Sequence, residues 1–116
     1  MLKAPVKNFV QLGEACDMMC FSYGEAVGKH PNFADILTDK SEEEAADALT
    51  YQREYLKKRI EKKNVRPIDV LSCEVAEIEE AMINGRWNDA RNEIFDAIAV
   101  LLRLDDAVRV AKEQIG

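Results

Sequence analysis

The apolar residues of this chain recur at helical rather than alternating spacing, and turn-forming residues divide them into four stretches. Between about residues 6 and 28, Phe9, Val10, Met18, Met19, Phe21 and Val27 fall loosely on a helical period that Gly13 and Gly24 weaken. His30, Pro31 and Asn32 then break the pattern, and residues up to Lys40 read as a connection in which Phe33, Ile36 and Leu37 pack locally. Ser41 followed by Glu42, Glu43 and Glu44 has the form of a capping box, so a second helix is predicted to start there. Acidic residues fill its first turn, and Lys57, Lys58, Arg59, Lys62 and Lys63 fill its end, an order that suits the helix dipole out to about Lys63. Pro67 opens a third helix, where its missing amide costs nothing, and Asn84 with Gly85 ends it after Met82. Asn88 is expected to cap a fourth helix that runs to about Gln114, with fraying near Asp105 and Asp106. Four helices without a strand predict an all-α protein.

Length and composition narrow this picture. One domain is expected from 116 residues, with an N-terminal helix and connection over residues 1–40 and a helical core over residues 41–114. An apolar fraction of 47% with 33% charged residues describes a globular chain rather than a disordered one. The net charge of −6 argues against nucleic acid as a partner, because that binding needs clustered basic residues. An acidic protein still accepts a small polyphosphate when a divalent cation lies between its carboxylates and the phosphates. Cys16, Cys20 and Cys73 lack C-x-x-C spacing and are expected to be reduced, buried thiols. No secretory segment and no membrane-length apolar window is visible, which predicts a cytoplasmic location and no membrane partner.

The chemistry is expected on the third and fourth helices. At about 100° per residue, Ile68, Leu71, Val75, Ile78 and Met82 line one side of the third helix, with Glu74 and Glu77 at the edge of that stripe. On the fourth, Glu93 shares a sector with Ala97, Val100 and Leu104, and Asp96 lies at its margin. Acidic residues spaced three apart are ordinarily a solvated face, but two such pairs on consecutive helices, each beside apolar surface, require compensation. Ionised carboxylates at an apolar flank need protons, basic partners or a cation. The short turn from Ile83 to Trp87 permits all four acids to converge, and ligation by oxygen alone suits Mg²⁺, or Mn²⁺ as a substitute. A di-iron carboxylate site also needs histidine ligands, and the single histidine, His30, is remote in sequence.

The segments Cys73-Glu74-Val75-Ala76-Glu77 and Glu93-Ile94-Phe95-Asp96, separated by fifteen residues between Glu77 and Glu93, resemble the E-x-x-E and E-x-x-D helices of the MazG-like nucleotide pyrophosphohydrolases. The likeness covers roughly residues 41–110. Cys73 departs from it, standing where many relatives carry another acid, and residues 1–40 do not align with the family core. The resemblance implies an all-α bundle in which Glu74, Glu77, Glu93 and Asp96 bind Mg²⁺. It also implies hydrolysis of nucleoside triphosphates to the monophosphate and pyrophosphate. A general base is not assigned among Glu77, Glu79 and Glu80.

Several basic and aromatic residues are secondary candidates for substrate contacts. Lys57, Lys58 and Lys62, together with Arg86 and Arg91, are positioned by sequence to meet phosphates, and Trp87 to stack on a base. The competing reading makes the basic run a solvated helix end and Trp87 a packing anchor. Apolar residues cover most of the circumference of the fourth helix between Ile94 and Leu104, more than one chain buries on one face. A homodimer or homotetramer is the corresponding expectation. Two functional alternatives stand beside the main reading: a non-catalytic helical assembly or adaptor protein, and a related enzyme acting on dUTP or phosphoribosyl-ATP.

Overall fold

The computed structural model of the chain describes residues 12–115. Among them lie four helices and no strand: α1 (Leu12–Lys29), α2 (Glu42–Glu61), α3 (Pro67–Ile83) and α4 (Trp87–Ile115). The all-α class therefore holds. The first part of the expected N-terminal helix, residues 6–11, lies outside the described residues.

Local chemistry accounts for most helix boundaries. Ser41 Oγ accepts from the Glu44 amide, and the Glu44 carboxylate accepts from the Ser41 amide, so the capping box closes in both directions. Lys63, with φ of 56°, enters the left-handed region just beyond the end of α2, and Gly85, with φ of 69°, does the same after α3. Pro67 occupies the first turn of α3 as expected.

The start of α4 differs from expectation. The Ala90 amide bonds the Arg86 carbonyl, so the helix begins at Trp87, and Asn88 lies inside its first turn rather than capping it. Arg86 anchors this entry by pairing with Glu80 on α3 and, at 3.3 Å, with Asp89. The fraying expected near Asp105 and Asp106 is also absent. Asp106, 2% exposed, pairs with Arg109 at 3.0 Å, and helical structure continues through both aspartates.

Two compact units divide the chain, one comprising Leu37–Leu101 and the other the flanking segments. Within Leu37–Leu101, α2 packs on α3. The two run antiparallel, because Arg53 meets Glu77 while Arg59, further along α2, meets Asp69, earlier on α3. The buried apolar residues of this unit are Ala45, Leu49, Cys73, Ala81, Ala90 and Ala97. Small side chains at a helix contact favour close approach of the axes. Burial of Leu49, the largest of them, contributes about 1.5–3 kcal/mol.

The apolar stripe of α3 is covered only in part, with Leu71, Ile78 and Met82 half-buried. Ile68 and Val75 are exposed, whereas Asp69, Cys73 and Ala81 form the buried line. The buried side of α3 is thus set by small residues and one ion-paired acid. In the flanking unit the thiols of Cys16 and Cys20 are exposed, contrary to the expectation of buried cysteines, which Cys73 alone meets. α1 also exposes Met18, Phe21, Tyr23 and Val27.

Candidate metal centre

Glu74 and Glu77 lie one turn apart on α3, and the Asn84 to Arg86 turn returns the chain so that Glu93, two turns into α4, faces them. One carboxylate oxygen from each of Glu74, Glu77 and Glu93 lies within 4.8 Å of the others, and all three side chains are half-buried. Glu74 Oε2 is shielded from solvent and has no hydrogen-bond partner. An orphaned carboxylate oxygen in a cluster of three acids leaves negative charge uncompensated.

The electrostatics register this crowding. Burial, then the neighbouring Glu93, Glu77 and Asp96 carboxylates, raise Glu74 from the ordinary 4.5 to about 7. Glu77 is raised for the same reasons, desolvation first and Glu93 next, while Arg53 opposes the shift. Arg53 reaches the cluster from α2, with Nη2 3.6 Å from Glu77 Oε1. Cys73 Sγ donates to that same oxygen at 3.8 Å, and burial pushes its thiol up.

This crowding sets a pH dependence. A folded-state carboxyl that titrates above its unfolded value holds its proton more tightly when folded, so stability falls as pH rises from 4.5 toward 7. The melting temperature of the metal-free protein is expected to fall between about pH 5 and pH 8, and Glu74→Gln to flatten the fall. An equal slope in the variant contradicts a Glu74 origin.

Of the four expected ligands, three converge. Asp96 is exposed and stands outside the three-oxygen group, although its charge acts on Glu74. The other candidates have separate roles. Glu79 accepts from Thr38 Oγ1 at 2.7 Å and pairs with Lys40 at 2.8 Å, and these partners hold its carboxyl below the usual range. Glu80 is engaged by Arg86 and by Asn84 Nδ2. Arg86 thereby serves the α3–α4 turn. Lys57, Lys58 and Lys62 are exposed without an ion pair among the described residues, as is Arg91, and Trp87 is 58% exposed.

Sequence reasoning missed Arg53 and Asp69. Asp69, 3% exposed, accepts from the Arg66 amide at 2.9 Å, from Arg66 Nη2 at 2.7 Å and from Arg59 Nε at 3.2 Å. The adjoining arginine is the main reason that its carboxyl is held down at about 2. Arg59 and Arg66 therefore brace the α2–α3 connection. An acid at the third position of a Pro-initiated helix beside two arginines is the signal that identifies this role.

The donor set fits a hard divalent cation. Carboxylate oxygens are its preferred ligands, and the orphaned Glu74 oxygen lacks the positive partner such an ion provides. Compared with protein-family models, curated proteins and solved structures, the chain matches none. No helix among the described residues is long and apolar enough to cross a membrane.

Proposed function

We propose that the chain is a Mg²⁺-dependent nucleoside triphosphate pyrophosphohydrolase of MazG-like type, releasing a nucleoside monophosphate and pyrophosphate. The observation that carries this reading is the convergence of Glu74, Glu77 and Glu93 around an unpartnered carboxylate oxygen. Those three residues would hold the ion, with Mn²⁺ as a substitute, and Asp96, whose charge acts on Glu74, is the fourth candidate ligand. The bound ion supplies charge neutralisation of the phosphates and activation of a water. No general base is assigned, because Glu79 is paired with Lys40, Glu80 with Arg86 and Glu77 with Arg53. The half-buried setting limits water around the carboxylates and strengthens their hold on a cation.

Self-association belongs to the same proposal. Val75 on α3 and Ile94, Phe95 and Leu101 on α4 are exposed, and a second copy of the chain offers apolar surface to cover them. The proposed location is the cytoplasm, where Mg²⁺ and nucleotides are plentiful. The same exposed residues favour the second reading, a helical assembly protein without catalysis.

The test is pyrophosphate release from a panel of standard and modified ribo- and deoxyribonucleoside triphosphates, including dUTP, and from phosphoribosyl-ATP, with and without Mg²⁺. Mg²⁺-dependent release identifies the reaction and its preferred base. Silence across the panel, with the oligomer intact, supports the assembly reading.

A further inference from the structure

A nucleoside triphosphate carries more negative charge than one divalent cation offsets, and three carboxylates around that cation add to the imbalance. Sites that hold polyphosphates meet this with a protein cation at the margin of the metal. The basic residues of Leu37–Leu101 narrow to one. Asp69 occupies Arg59 and Arg66, Glu79 occupies Lys40, and Glu80 and Asp89 occupy Arg86. Arg91 precedes Glu93 by two residues, about 200° around α4, and so faces away from the carboxylates. The lysines at the end of α2 make no pair with the cluster.

Arg53 differs from all of these. Its side chain is 61% exposed, and its approach to Glu77, at 3.6 Å, is longer than a hydrogen bond. Most of its donors therefore remain open on the solvent side, beside the three acids. A guanidinium offers phosphate oxygens a planar fork that an ammonium cannot reproduce.

We propose that Arg53 contacts the substrate, binding phosphate oxygens of the triphosphate seated at the Glu74, Glu77 and Glu93 site. The inference rests on the metal-site reading above. Before substrate arrives, Arg53 offsets part of the cluster's charge through Glu77; with an ion and a triphosphate in place, its fork turns to the phosphates. The cation and Arg53 then divide the work, one held by the carboxylates and the other carried by α2.

Binding measurements separate this assignment from the metal site itself. Mn²⁺ uptake is measured first without any nucleotide, and inorganic tripolyphosphate is then titrated into the Mn²⁺-loaded protein. Wild type, Arg53→Gln and Arg53→Lys are compared, with circular dichroism to verify folding. In Arg53→Gln, Mn²⁺ uptake is expected to persist or tighten, because a competing cation is gone. Tripolyphosphate affinity is expected to fall at least about tenfold, with partial recovery in Arg53→Lys. Equal tripolyphosphate affinity in wild type and Arg53→Gln overturns the assignment and leaves the metal site standing. Loss of Mn²⁺ uptake in Arg53→Gln also overturns it, by making Arg53 part of the site's framework. Absence of uptake in the wild-type protein overturns the metal reading and this inference together.

Discussion

Glu93→Gln is expected to lower Mg²⁺-dependent pyrophosphate release by at least roughly a hundredfold, since even groups that merely support a metal ligand are worth tenfold to a hundredfold. The substitution keeps the side chain's shape and removes one negative charge from the three-oxygen group. In the metal-free protein it also relieves the repulsion that Glu93 imposes on Glu74 and Glu77. The variant is therefore expected to melt higher than wild type at about pH 8 without metal, and to gain less when Mg²⁺ is added. A loss of turnover accompanied by this rise separates a functional carboxylate from a structural one. Steady-state kinetics and thermal melts on the same preparations check both, and wild-type turnover in the variant sinks the assignment of Glu93.

Asp69→Ala is expected to have the largest effect on stability, about 2–4 kcal/mol, or a fall in melting temperature of roughly 10 °C or more. The substitution leaves Arg59 and the Arg66 amide without their shared acceptor at the start of α3. Half-exposure of Arg66 keeps the cost below that of a fully buried pair. The sign with pH opposes that of Glu74. A carboxyl depressed to about 2 when folded stabilises above the ordinary 3.8 and loses that contribution as pH falls through 2. Urea unfolding near neutral pH measures the loss, and a change below about 0.5 kcal/mol contradicts the bracing role.

The two substitutions also mark where the sequence is legible and where it is not. Helix boundaries with chemical signals were readable: Ser41 with Glu44, Pro67 and Gly85 all act as their residue types predict. The carboxylate convergence was readable as well, because i, i+3 spacing and a short turn constrain where side chains project. The direction of burial was harder to read. Ile68 and Val75 are apolar yet exposed, while Asp69 is charged yet buried, since α2 and α3 pack through small residues and the Arg59–Asp69 ion pair. Hydrophobic periodicity registers apolar area and is silent on paired charge.

The basic residues illustrate the same limit. Lys57, Lys58 and Lys62 form a basic run, yet Arg53, one turn earlier and outside the run, reaches Glu77. Which helical side chain crosses to a neighbour depends on interhelical register, and the antiparallel pairing of α2 with α3 sets that register. Arg86 and Glu80, read separately as a phosphate contact and a base, prove to be partners across one turn. Asp96 shows that spacing alone does not equalise two positions on a helix: Glu93 enters the cluster, and the shorter Asp96 stays at its rim.

Calorimetric titration of Mn²⁺ and Mg²⁺ into the metal-free protein at about pH 8 tests most directly whether Glu74, Glu77 and Glu93 together hold a divalent cation. Saturable binding, strongly weakened in both Glu74→Gln and Glu93→Gln, is the predicted result. No saturable binding in the wild-type protein, or equal binding in the wild type and both variants, contradicts it.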